Sequence, residues 1–160
     1  MGKYHFIAIG GIGMSAIARY YHFKGLKVTG YDKTPSELTL ALENEGIEVH
    51  YEDNTDFIPK DIEHTLVVYT PAIPKDMGEL VYVQQAGYRV IKRSRTLGEI
   101  ARGQHCLAVA GTHGKTTTTK MIVDMLKDEK IAYVIGDGTG GAVKDYKYLI
   151  YEACEYQDHF

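Results

Sequence analysis

The chain has 160 residues, 44% hydrophobic and 24% charged, with a formal net charge of −3. This is ordinary globular composition, long enough for one large domain or two small ones, and its mild acidity offers no basic field for nucleic acid. The apolar runs are too short to span a membrane, and the N-terminal run is too brief and wrongly flanked for a signal peptide.

Taken in chain order, strands are predicted near 4–9, 27–31, 47–50, 65–70, 88–92, 105–110, 132–135 and 147–152. Helices are predicted near 13–24, 36–45, 77–86, 94–101 and 115–129, with Pro35 at a helix start. This alternation predicts an α/β fold. A Rossmann-like parallel-sheet domain is expected over 1–102, followed by the beginning of a P-loop ATPase domain over 103–160, with the boundary near Arg102-Gly103-Gln104. The second part is short for such a domain, and the sequence stops just after a strand that ends in acidic residues. The expectation is therefore a truncated chain. Cys106 precedes a predicted buried strand and Cys154 follows another. Neither sits in a disulfide or zinc spacing, so reduced thiols in a cytoplasmic protein are expected. The seven histidines include no i, i+4 metal pair.

Two loops carry the chemistry. After the first strand comes Gly10-Gly-Ile-Gly-Met-Ser-Ala16, which reads G-x-G-x-x-A at Gly11, Gly13 and Ala16. Such a loop brings backbone close to a diphosphate at a helix N-terminus. Asp32, at the end of the second strand, is placed to accept from a ribose or base donor. NAD, FAD and UDP all carry a diphosphate, so this loop does not choose among them. Arg93 and Arg95 could face the diphosphate, although both read first as surface arginines.

The second loop follows the apolar run Leu107–Ala110. Gly111-Thr-His-Gly-Lys-Thr-Thr117 is strand, turn and helix start, with Gly111 and Gly114 bracketing the turn. Lys115 is suited to a β- or γ-phosphate and the Thr116 hydroxyl to Mg²⁺. The loop is a shortened form of G-x-x-x-x-G-K-[ST], since the position of that pattern's first glycine is Val109. Asp137, between Gly136 and Gly138, reads as a turn.

Gly10-Gly-Ile-Gly-Met-Ser15, Gly111-Thr-His-Gly-Lys-Thr-Thr117, Gly136-Asp-Gly-Thr-Gly140 and Glu152-Ala-Cys-Glu155 occur in this order. The series resembles the Mur ligases of peptidoglycan synthesis over the whole chain. It is most similar to the branch that joins L-alanine to UDP-N-acetylmuramate with ATP through an acyl phosphate. The resemblance implies a UDP-substrate site at Gly11, Ile12, Gly13, Met14, Ser15, Asp32, Thr70 and Ala72. It implies ATP binding at Gly111, Thr112, His113, Gly114, Lys115, Thr116 and Thr117, with Lys115 and His113 as catalytic residues. It implies Mg²⁺ at Thr116 and Glu152, with Glu155 a further metal candidate. Thr70-Pro71 departs from the family's serine-rich turn. The segments that complete the family's central and C-terminal domains are absent, so a site without turnover is expected here. The alternatives are a murein tripeptide recycling ligase, an NAD(P)-dependent Rossmann protein and a non-catalytic UDP-sugar module.

Overall fold

The alternation within the first strand sets the architecture. In β1 (Lys3–Ile7), Phe6 and Ile7 point to opposite faces and both are fully buried, so the sheet needs cover on both sides. The computed structural model describes residues 2–153; Cys154 and Glu155 lie outside the described residues. After β1 come α1 (Ile12–Phe23), β2 (Lys27–Tyr31), α2 (Glu37–Asn44), β3 (Glu48–His50) and a 3-10 turn at Thr55–Phe57. Then follow β4 (Thr65–Tyr69), α3 (Gly78–Gln85), β5 (Arg89–Lys92) and α4 (Arg93–Ala101). The helix after Pro35 is capped by Ser36, whose hydroxyl and Thr39 form a reciprocal capping box.

The five strands run parallel in the order β3-β2-β1-β4-β5. The order reverses between β1 and β4, which opens a crevice at their carboxyl ends. One face packs Phe6, Leu66 and Val68 against α1 and its neighbours. The other packs Ile7 and Val67 against Leu80 and Val83 of α3.

A second sheet contains β6 (Cys106–Val109), β7 (Ile131–Val134), β8 (Gly140–Ala142) and β9 (Tyr148–Glu152), with α5 (Lys115–Met125) after β6. Its order is β6-β9-β7-β8, and all pairings are parallel except β7 with β8. Three details differ from the sequence expectation. β8 was not anticipated, because Gly140-Gly-Ala142 carries no apolar alternation. α5 ends at Met125 rather than near 129. β6 is an edge strand with Leu107 41% exposed, so the strand after Cys106 is not buried.

The second sheet is seated on α1. Ala132, Val134 and Leu149 share one apolar cluster with Phe6, Ile17 and Tyr20. A Cβ at Gly140 would run into the Ala16 carbonyl of α1. Buried Arg19 of α1 donates to the Gly138 carbonyl and pairs with Glu45 at 2.7 Å. The Tyr20 and Tyr146 hydroxyls meet at 2.8 Å. Gly140→Ala is therefore expected to cost about 1–3 kcal/mol through overpacking. Urea denaturation checks this, and an unchanged midpoint would show that the turn is not held against α1.

Candidate active site

A cleft of about 680 Å³ lies at the carboxyl end of the first sheet and continues to the second. Its size suits a nucleotide-scale ligand. One wall holds Gly11, Ile12, Gly13, Met14, Asp32, Thr70 and Ala72; the other holds Lys115, Gly136 and Glu152. Two loops far apart in sequence thus face one cavity.

The glycine loop is held by its own backbone. Gly10 N–H donates to Asp32 Oδ2 at 2.7 Å, and Gly11 N–H to the Ala8 carbonyl at 3.2 Å. Asp32 therefore spends one oxygen on the loop. Ala8 adopts φ of 69°, a left-handed conformation that costs a non-glycine residue about 1–2 kcal/mol. The Gly11 carbonyl accepts from the N–H groups of both Met14 and Ser15. The amides of Ile12 and Gly13 are then the ones open at the N-terminus of α1, which has no side-chain cap. Met14 contributes an apolar wall. Ser15, expected at the UDP-substrate site, is fully buried; its hydroxyl donates to the Ile12 carbonyl at 2.9 Å, and it is not among the residues lining the cleft.

Arg93, read first as a surface arginine, lies at the cleft. A Cβ on Gly13 would stand 2.6 Å from its Nη1. Gly13 thus leaves room for a guanidinium over the open amides. The signal available in the sequence was the position of Arg93 immediately after a parallel strand, where cleft residues sit. Arg95 is a surface residue, 73% exposed and paired with Glu99 at 3.4 Å.

On the other wall, Gly114 takes φ of 76° and caps α5, a conformation that favours glycine. Lys115 Nζ donates to the Gly111 carbonyl at 2.5 Å, closing the loop on itself. Parallel pairing sets Glu152 opposite Val109. This brings Thr116 Oγ1 within 3.2 Å of Glu152 Oε2. Glu152 Oε1 is buried and has no hydrogen-bond partner among the described residues. A Cβ on Gly136 would collide with this carboxylate, so Gly136 leaves room for it. An orphaned carboxylate oxygen beside a hydroxyl is a fitting donor set for Mg²⁺, which takes oxygen ligands. Thr112, His113 and Thr117 are exposed and lie outside the cleft wall.

A latch joins this wall to the β7–β8 turn. Lys120 of α5 pairs with Asp137 at 2.5 Å, and Asp137 Oδ1 accepts the Thr139 N–H at 3.0 Å. Burial alone would raise the Asp137 carboxyl, but the bonds from Lys120 and Thr139 outweigh it and hold its pKa at about 2. The folded value lies below the ordinary 3.8. The latch therefore stabilises fully above that value and is lost as pH falls through about 2. Asp137→Asn is expected to unfold earlier than the parent in urea at pH 7, with the gap closing as pH falls through this window. A gap that persists unchanged at the acid end would exclude the latch.

Residues 3–105 match the family described as "Mur ligase family, catalytic domain". The UDP-N-acetylmuramate–L-alanine ligase of Porphyromonas gingivalis W83 is 53% identical over 134 residues, covering 82% of this chain and 29% of that protein. The ligase of the same name from Flavobacterium psychrophilum is 50% identical over 147 residues, covering 89% and 32%. Among solved structures, UDP-N-acetylmuramate-alanine ligase from Thermotoga maritima superposes with a TM-score of 0.82 at 29% identity, covering 95% of this chain and 37% of that one. A murein peptide ligase from Psychrobacter arcticus gives 0.79 at 25% identity, covering 98% and 38%. The chain spans about three-tenths of the length of these curated relatives.

Proposed function

Because this chain belongs to the Mur ligase family, we propose that it forms the two phosphate-handling walls of an enzyme joining L-alanine to UDP-N-acetylmuramate with ATP. The observation that carries this is the single cleft faced by both the α1 N-terminus and Lys115. A dinucleotide-dependent dehydrogenase has no use for Lys115, Thr116 and Glu152 on the second wall. Relatives at about half identity are named for L-alanine, which favours that acceptor over a peptide. We assign 1–102 to UDP-substrate binding and 103–160 to part of the ATP-binding domain, although the apolar core runs across this division. We place this work in the cytoplasm, where both nucleotides are available; no helix among the described residues is long and apolar enough to cross a membrane.

The residues act as follows. The amides of Ile12 and Gly13, with Gly11 behind them, cradle the UDP diphosphate, and Arg93 adds a full positive charge above it. Asp32 holds the loop through Gly10 and borders the uridine side, with Thr70 and Ala72 along the same edge. The substrate carboxylate attacks the γ-phosphate of ATP, releasing ADP and forming an acyl phosphate, and the amine of L-alanine then displaces phosphate from its carbonyl carbon and loses a proton to give the amide. Gly111, Gly114 and the α5 N-terminus direct backbone donors to the nucleotide. Lys115 leaves the Gly111 carbonyl and neutralises charge on the transferred group. His113, Thr112 and Thr117 reach the phosphates once the exposed loop wraps them. Thr116 and Glu152 would hold Mg²⁺, whose charge offsets that of the phosphate oxygens. The position of Glu152 at the end of β9 buries its Oε1 beside Thr116 of α5.

Two outcomes test this. Calorimetry should detect UDP-N-acetylmuramate binding and no NAD binding. Arg93→Ala should weaken the former by about 1.5–3 kcal/mol, the worth of a charged hydrogen bond. NAD binding without UDP-substrate binding would refute the assignment. Lys115→Ala should lower ATP affinity and leave UDP-substrate affinity unchanged, and equal ATP affinity in the variant would remove Lys115 from the site.

A further inference from the structure

Away from the cleft, on the α3 side of the first sheet, three chemistry-bearing side chains converge. They are His5 on β1, His50 at the end of β3 and Glu79 in the first turn of α3. The side chains of His5 and Glu79 are fully buried and that of His50 is 10% exposed. His5 Nε2 lies 3.1 Å from Glu79 Oε2, and His50 Nε2 lies 2.5 Å from Glu79 Oε1. The three ligand atoms all fall within 4.8 Å of one another. Donors about 2.1 Å from one tetrahedral ion stand roughly 3.4 Å apart, so small shifts of these side chains would admit one.

Charge and orientation point the same way. Among the described residues Glu79 pairs with these two histidines and with no lysine or arginine. A fully buried carboxylate calls for a cation, and the Asn54 N–H at 3.4 Å supplies only a partial charge. His5 Nδ1 meets Thr29 Oγ1 at 2.9 Å, the outer contact that fixes a ligating imidazole and leaves Nε2 for the ion. Asp53 takes the N–H groups of Gly78 and Glu79 at 2.7 and 2.8 Å. The first turn of α3 is therefore fixed independently of the cluster, and Glu79 arrives preplaced.

We propose that His5, His50 and Glu79 form a buried site for one divalent transition-metal ion, with Thr29 as the outer residue that orients His5. Two imidazoles and a carboxylate suit Zn²⁺, Co²⁺ or Fe²⁺, whereas Mg²⁺ takes oxygen ligands and keeps its waters. The site is therefore distinct in chemistry and place from the Thr116–Glu152 pair. A bound ion would staple β1, β3 and α3 together behind the glycine loop.

The test is titration of the metal-stripped chain with Co²⁺. Saturable binding of one ion is expected, with visible absorption bands from nitrogen ligation, displacement by Zn²⁺ and a raised thermal midpoint. His50→Gln, at the rim of the cluster, should remove the bands while circular dichroism shows the fold retained. Thr29→Val keeps all three ligands and should weaken Co²⁺ affinity roughly 10–100-fold, the usual effect of losing an outer partner. A folded parent chain that shows no saturable Co²⁺ binding overturns the proposal. So does a folded His50→Gln that binds as tightly as the parent. Should that variant not fold, the parent titration and Thr29→Val decide the matter by themselves.

Discussion

The distance of closest approach between the β7–β8 turn and α1 governs the rest of this molecule. Gly140 lies where a single methyl group would meet the Ala16 carbonyl. Arg19 ties the same turn to α1 through the Gly138 carbonyl. α1 begins at the glycine loop, while β7 pairs with β9, which ends at Glu152 beside the phosphate loop. One steric contact therefore sets the spacing between two anion-binding loops. Close-packed interiors do not deform gradually, so an added atom here would shift a whole wall of the cleft. The Lys120–Asp137 pair adds a third link, from the turn to α5.

The cleft balances its charges unevenly, and the imbalance indicates what each wall receives. Two helix N-termini, Arg93 and Lys115 supply positive potential. Asp32 is answered locally by the Gly10 amide. Glu152 is not: one oxygen meets Thr116 and the other is buried with no partner among the described residues. An orphaned buried acceptor costs about 1–3 kcal/mol, and more when charged. Such a cost persists where the group is completed by something that arrives, which under the proposed function would be a cation accompanying phosphates. Lys115 is in the complementary state, closed on the Gly111 carbonyl of its own loop.

Periodicity and turn chemistry made most of the fold legible. The five parallel strands of the first sheet and their helices follow from apolar runs separated by glycine turns, and both loops were visible as motifs. The juxtaposition of Thr116 with Glu152 was also readable, because parallel strands deliver their last residues to one edge. What escaped were features made by contact between distant segments. β8 has no hydrophobic pattern, since its glycines exist to let α1 approach. Ser15 sits inside a loop motif, yet helix geometry turns its hydroxyl back to Ile12. Arg93 looked like surface charge until Gly13 was seen to leave room for it. The His5–Glu79–His50 cluster follows from strand register across the sheet, and no i, i+4 spacing could have announced it.

The phosphate loop rests on a helix of weak intrinsic stability. α5 opens with Lys115 and four threonines, β-branched residues that lose side-chain freedom in a helix. Its outer face carries Met121 and Met125 at 61% and 81% exposure, so little apolar burial offsets that loss on this side. The threonines are instead used for their oxygens. Thr116 meets Glu152, and Thr119 bonds back to the Lys115 carbonyl at 2.8 Å, bracing the start of the helix. Helix propensity has been traded for oxygen donors at the point where a charged ligand would sit. A ligand that binds only the ordered helix stabilises it by mass action. Under the proposed function, nucleotide binding would favour the ordered α5, which the Lys120–Asp137 pair ties to the turn seated on α1.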